Sequence, residues 1–387
     1  MALLVSQFDG AAPLEAGASA VEGDLATTPV ELEQILTAAV ALGASDVHVR
    51  AGAPPLLRVS GQLFPLDLPD LTEQDASALV GQAMTSGADQ AAFIRDHECD
   101  FALVSNSAAR FRVNAYRARG ADAMVLRLVR EQVPSLVELG LPNVTGTLAR
   151  ATAGLVLVCG PTGSGKSTTL AALVDLINEE RRCHILTIED PIEFIHRNKL
   201  ATISQRELHT DTFDFAQALR SGLRQDPDVI LIGEIRDVET MRTALQAAET
   251  GHLVLASLHA KSVVDAVHRI VDMFPADEQR QARASVAESL QGILCQQLVA
   301  SARGDGRVLI CEVAVATPRV KEAVADSTKT ALLGEIITDG EYYGMRSFEQ
   351  DAVRLVLAGD VSLREAETVA SNVTDLLVAL RRAGFRE

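Results

Sequence analysis

Residues 159–170 read CGPTGSGKSTTL. Glycines, a lysine and hydroxyl residues stand here between an apolar run, LVLV, and a helix-like run, LAALVDLI. Glycine adopts backbone angles that a side chain forbids, so such a loop wraps tightly and presents several N–H groups to one anion. The spacing G-x-x-x-x-G-K-[ST] specifies a phosphate chain, cradled by Gly160, Pro161, Thr162, Gly163, Ser164, Gly165, Lys166, Ser167 and Thr168. Lys166 reaches the terminal phosphates, the Ser167 hydroxyl ligates magnesium, and the positive end of the following helix adds to the attraction. ATP and Mg²⁺ are the expected ligands.

Strands of an open α/β sheet deliver functional groups at their carboxyl ends. The run VILIGE ends in Glu234, placed to polarise a water attacking a γ-phosphate; a salt-bridged or capping glutamate is the alternative. The run HILTIEDPIEF puts Glu189 and Asp190 at another strand end, where carboxylates hold the water shell of magnesium or orient a nucleophile. An acidic turn before Pro191 is the plainer reading. In TGHLVLASLHAKS, His252 opens a strand and His259 closes it. Imidazole there serves either as a γ-phosphate sensor or as a core or capping group. Of the two, His259 has the better place, at the strand's end.

The elements that must carry these groups are legible from periodicity. VELEQILTAAVALG reads as an amphipathic helix, followed by strand-like DVHVR, LLRVSGQL, FALV, ARFRVNAYRAR and AMVLRLV. Beyond the phosphate loop, strand-like HILTIED, VILIGE and HLVLASLH alternate with helical LAALVDLINEERR, DFAQALRSGLRQ, VETMRTALQAAETG and VDAVHRIVDMF, predicting a parallel sheet wrapped by helices. The expected organisation is a tail over 1–28, a small α+β domain over 29–130, a linker over 131–142, an α/β core over 143–274 and a mostly helical region over 275–387.

The 387 residues carry 35 Lys+Arg and 52 Asp+Glu, a formal net charge of −17 that disfavours non-specific contact with nucleic acid or anionic lipid. Five scattered cysteines, with no C-x-x-C, indicate neither a disulfide framework nor a zinc ribbon. No apolar run is long enough to span a bilayer, and the first basic residue is Arg50, so no signal peptide is read and a reduced, cytoplasmic setting is expected.

GPTGSGKSTTL, TIEDPIEF, LRQDPDVILIGEIRDVET and TGHLVLASLHAKS resemble the Walker A, Asp-box, Walker B and His-box motifs of the secretion-type hexameric ATPases. ASDVHVRAGAPPLLRVSGQL, RFRVNAYRARG and GMRSFEQDAVRLV resemble the type IV pilus retraction ATPases, the PilT class, over about residues 30–370. The resemblance implies a PAS-like N-terminal domain, a RecA-like P-loop ATPase domain and a homo-hexamer with nucleotide bound between domains. It maps the family's N-terminal arginines onto Arg112, Arg119 and Arg127, and guanidinium suits a site that accumulates phosphate charge. It also implies an inner-membrane pilus platform protein as partner, with or without a second retraction ATPase, and a position at the inner face of the membrane. Two departures stand out: TPRVKEAVAD replaces the usual AIRNLIRE-like segment, and Ala260 replaces the threonine usual after the second His-box histidine.

Retraction of a type IV pilus is the leading expectation. A pilus assembly or type II secretion ATPase is the rival, and its large extra N-terminal domain and four-cysteine metal site are not seen. A non-motor, nucleotide-dependent ring regulator and a nucleic-acid translocase are further alternatives. Lys166, Glu189 and Glu234 speak against the first of these, and the acidic balance without interleaved basic and aromatic stretches against the second.

Overall fold

The computed structural model describes residues 31–59, 61–107, 109–129, 132–304, 306–370 and 372–385. The tail expected over 1–28 lies outside them. The chain divides into two units, Met1–Arg130 and Glu131–Glu387.

In the first unit, helix α1 (Leu32–Ala41) precedes strands β1 (Asp46–Arg50), β2 (Leu56–Val59) and β3 (Gln62–Pro65). Helices α2 (Glu73–Ala83) and α3 (Gly87–Asp96) follow, then β4 (Glu98–Val104), β5 (Arg110–Ala118) and β6 (Ala121–Leu128). The strands form one antiparallel sheet in the order β3-β2-β1-β6-β5-β4. Alternation along β5 buries Phe111, Val113 and Ala115, which pack with Val47, Val49, Met124 and Leu126 against Ile35, Leu36 and Leu79 of the helices. The other face carries Asp46, Asn114 and several arginines, with Val104 and Val125 among them. LLRVSGQL, read as one strand, is the hairpin β2–β3, turned at Gly61 with φ 84°.

The second unit runs α4 (Val144–Ala149), β7 (Gly154–Cys159), α5 (Lys166–Glu180), β8 (His184–Glu189), β9 (Thr202–Glu207), α6 (Phe215–Gly222) and β10 (Val229–Ile232). It continues with α7 (Val238–Glu249), β11 (Leu253–Leu258), α8 (Val263–Asp272), α9 (Gln279–Ser289), β12 (Leu290–Ala300) and β13 (Arg307–Val315). Helices α10 (Pro318–Ala325), α11 (Leu333–Thr338), α12 (Phe348–Leu357), α13 (Leu363–Val369) and α14 (Val373–Arg382) close the chain. The sheet order is β13-β12-β7-β11-β10-β8-β9, with every neighbour parallel except the antiparallel edge strand β13. β7, β10 and β11 are buried along their whole length, as strands covered on both faces must be.

Two features depart from the sequence reading. The core does not stop at 274: β12 and β13 extend its sheet from within the region expected to be mostly helical. Residues 131–142 are not a free connection either, because Leu141 is buried in the second unit's core with Leu136 and Leu139 against it.

Glu312, on β13, is buried and accepts a 3.1 Å hydrogen bond from the Val263 N–H at the start of α8. Burial pushes its carboxyl from 4.5 up to about 7. Between those values the folded protein holds a proton that the unfolded chain has released, so stability is lost as pH rises through this window. The loss amounts to roughly 3 kcal/mol at most. Glu312→Gln keeps an oxygen for Val263 and removes the ionisation. The variant is expected to melt a few degrees above wild type at pH 8 and close to it at pH 5. Thermal melts at both pH values check this, and equal differences at the two would exclude ionisation as the cause.

Candidate active site

The phosphate loop joins β7 to α5. Gly160 has φ 152°, and a Cβ there would lie 2.4 Å from Ser164 Oγ and 2.5 Å from the Gln296 carbonyl, so only glycine fits. Gly163 and Gly165 are left-handed, at φ 79° and 88°, which turns the chain into the helix. Lys166 opens α5, and its Nζ donates to the carbonyls of Gly160 at 3.0 Å and Pro161 at 3.1 Å. The ammonium is thereby held at the mouth of the loop. Burial lowers its pKa, and the Glu234 carboxylate opposes that shift. Pro161, Thr162 and Gly163 are exposed at the tip, whereas Ser164 is buried. Ser167 and Thr168 lie in the first turn of α5, half-buried.

Because β11, β10 and β8 follow β7 in the sheet, their carboxyl ends align beside this loop. Glu234 follows β10 with its side chain 17% exposed. Its carboxylate meets His259 Nε2 at 2.9 Å on one oxygen and Arg236 Nε at 2.8 Å on the other. Arg236 also reaches Asp190, with Nη1 3.6 Å from Oδ2. Lys166, Glu234, His259, Arg236 and Asp190 thus form one electrostatic cluster. Ser257 Oγ donates to the Gly233 carbonyl at 2.5 Å and the Gly233 N–H to the Ile188 carbonyl at 2.8 Å, so the glycine before Glu234 is fixed from both neighbouring strands. A Cβ on Gly233 would come within 3.2 Å of Glu189 Cα, which explains the small residue there.

Glu189 lies on the strand next to β10, with its carboxyl engaged by neighbouring groups. It ends β8, three strand spacings or about 14 Å across the sheet from β7. Its carboxyl accepts from Thr187 Oγ1 at 2.7 Å, Gln205 Nε2 at 3.2 Å and the Glu193 N–H. Burial pushes it up to about 7. Glu193, exposed on the same segment, is one of the groups whose charge favours the charged form of Lys166, after Glu234. Glu189 therefore braces the turn that presents Glu193, a residue sequence reasoning passed over although TIEDPIEF contains it.

His252 is not brought to the loop of its own chain. It precedes β11, whose six residues span about 20 Å, and so lies at the opposite sheet end from His259. Its Nδ1 contacts the Ala247 carbonyl at 3.0 Å, capping α7. Ala260 is buried behind His259, where its methyl packs in the core.

Among the described residues no group of three or more His, Cys, Asp or Glu side chains is arranged to hold a metal ion. Ser167 Oγ bonds no other described residue. This donor set fits magnesium carried on nucleotide phosphates with one protein hydroxyl, the usual economy of that cation.

In the first unit, strand register places Arg58, Asp46, Arg127 and Arg112 in one row across β2, β1, β6 and β5. Asp46 is buried; Arg127 Nε donates to its Oδ1 at 2.8 Å, and Arg58 Nε lies 3.9 Å from Oδ2. Burial acts to raise the Asp46 pKa, but hydrogen bonds from Arg127 and Ser45 outweigh it and hold the carboxyl below its ordinary value. The Arg127 side chain is still 69% exposed. Arg112 and Arg127 share this face. Arg119 does not: it sits at the β5–β6 turn with φ 55°, seven residues or about 23 Å along the strand from Arg112.

The sequence profile of type II/IV secretion system proteins matches residues 22–368. The chain belongs to that family. It is 41% identical over 341 residues to the type IV pilus retractation ATPase PilT of Pseudomonas aeruginosa, covering 88% of this chain and 98% of that protein. It is 37% identical to the type IV pilus ATPase PilU of the same organism, covering 91% of this chain and 92% of PilU. A crystal structure of the pilus retraction motor PilT with bound ADP superposes with a TM-score of 0.84 at 38% identity, over 90% of this chain and 99% of that one. The fold is accordingly that of the PilT ATPases, a RecA-like domain with a smaller α+β N-terminal domain. Among the described residues no helix is long and apolar enough to cross a membrane.

Proposed function

We propose that this family member is a Mg²⁺-dependent ATPase that assembles as a homo-hexamer and withdraws a type IV pilus. The observation that carries the reading is the near end-to-end match to PilT, 98% of its length, together with the convergence of Lys166, Glu234 and His259 at the carboxyl ends of neighbouring central strands. Lys166 and the loop N–H groups hold the phosphates, and Glu234 orients the attacking water, itself fixed by Arg236 and His259. Glu193 adds a second carboxylate near Lys166. Magnesium, held by Ser167, would neutralise phosphate charge when bound. Arg112 and Arg127 supply counter-charge to a neighbouring subunit's nucleotide. The partner is a platform protein of the pilus machine at the inner membrane, with or without a second retraction ATPase.

A pilus assembly or type II secretion ATPase is the second reading, favoured by the altered segment TPRVKEAVAD. That segment nonetheless folds as α10, capped by Thr317 and packed through Val320, Ala323 and Val324. Deleting the gene in the native host and counting surface pili separates the readings. Surplus pili are expected; bald cells would mean assembly, and unchanged pili would remove the chain from the pilus cycle.

A further inference from the structure

Gln296 lies on β12, 132 residues from the loop it touches, and is 0% exposed. Its side-chain amide donates to the Ser164 carbonyl at 2.7 Å. A carbonyl only accepts, so the NH₂ end must face it. The same residue's backbone carbonyl lies 2.5 Å from where a Gly160 Cβ would be, and its Nε2 lies 3.2 Å from where a Gly165 Cβ would be. Both glycines that define the loop therefore rest on this one side chain and its peptide.

Position β12 fixes the contact further. It pairs with β7 in parallel register, Cys295 opposite Cys159, which places Gln296 beside the first residue of the loop. Two polar atoms at the contact, Ser164 Oγ and Gln296 Oε1, are buried without a hydrogen-bond partner among the described residues. Such atoms are costly, so a core position that keeps an amide here, where a hydrocarbon would avoid the cost, needs a reason.

Peptide geometry supplies one. The Ser164 carbonyl and the Gly165 N–H belong to one planar unit and point in opposite directions. We infer that Gln296 is a positioning residue of the phosphate loop: by anchoring the Ser164 carbonyl behind the loop, it turns the Gly165 N–H into the phosphate cradle. The inference rests on the nucleotide-binding reading above and adds to it a determinant outside the motif.

Gln296→Met keeps the volume and removes the donor. In the full-length protein, ADP and inorganic pyrophosphate are both expected to bind about tenfold more weakly, the loss of one oriented donor, with the melting temperature of the ligand-free variant close to wild type. A folded variant with unchanged affinity for both probes overturns the inference, as does a loss for ADP without one for pyrophosphate. Should that variant not fold, Gln296→Glu decides. A protonated carboxyl donates to the Ser164 carbonyl and a carboxylate repels it, and buried carboxyls of this unit, Glu189 and Glu312, are pushed up to about 7. The ratio of its ADP affinity to that of wild type should then rise as pH is lowered from 8 to 6; a flat ratio counts against the inference. Wild-type protein that binds no ADP would instead sink the nucleotide-binding reading itself.

Discussion

Mixed rings of Arg127→Ala and Lys166→Ala subunits are expected to recover ATPase activity that neither variant shows alone. In the proposed mechanism Arg127 is a fixed counter-charge to the phosphates, and loss of an arginine finger costs on the order of a thousandfold or more in turnover. Lys166→Ala is expected to be inactive with every arginine in place. If Arg127 serves a neighbouring subunit, some interfaces in a mixture join an intact loop to an intact arginine, and steady-state turnover returns in part. If it serves its own subunit, every site stays broken at any ratio. Verified co-assembly with no recovery would reject independent sites in trans, unless one dead interface stops the ring. Titrating wild type with Lys166→Ala distinguishes that case, because stopping would make activity fall far faster than the wild-type fraction. Arg127 is mostly exposed but its Nε bonds the buried Asp46, so a thermal melt of Arg127→Ala is read beside turnover to separate lost stability from lost function.

Lys166→Ala and Glu234→Gln are expected to fail in different ways. On the proposed assignment the lysine holds phosphate in the ground state as well as the transition state, so its loss should remove nucleotide affinity along with turnover. On the proposed assignment Glu234 acts on the water; the glutamine variant should bind ATP at near wild-type strength and turn it over at least a hundredfold more slowly. Equilibrium binding of a fluorescent ATP analogue, read beside steady-state hydrolysis, separates the two. Equal loss of binding in both variants would contradict the assigned roles. Glutamine retains an oxygen and an amide for His259 and Arg236, so the cluster around residue 234 keeps its shape.

What was legible in the sequence follows from how local each signal is. The phosphate loop is contiguous, and Glu234 and His259 sit directly after apolar runs, so pattern alone places them at the carboxyl ends of β10 and β11. The choice between Glu189 and Glu193 is not local in that sense. It depends on the turn at Asp190–Pro191 and on the bond from the Glu193 N–H back to Glu189. His252 fell to the reverse error: both histidines lie in one short motif, but an extended strand runs between them and carries them to opposite sheet ends. β12 was hidden because α9 passes into it at Ser289–Leu290 with no glycine or proline between, and SVAESLQGILCQQLV suits either element. Burial between β7 and β13 decides for strand. Gln296 gave no sequence signal at all, since its partner is 132 residues away. Arg236 had a weak one, a cation two residues after Glu234.

The antiparallel ladder of β12 with β13 runs from Gly292–Val315 to Ala300–Arg307, while the other edge of β12 is paired to β7 through Cys295. Amides in such a doubly paired, buried strand exchange with solvent only when the sheet itself opens, so β12 belongs to the slowest-exchanging part of the unit. The exposed tip amides of Thr162 and Gly163 are expected among the fastest. Nucleotide capture at this loop would then order chiefly its exposed rim, with the paired strand beneath it already fixed, which would confine the conformational entropy lost at each capture to a few residues.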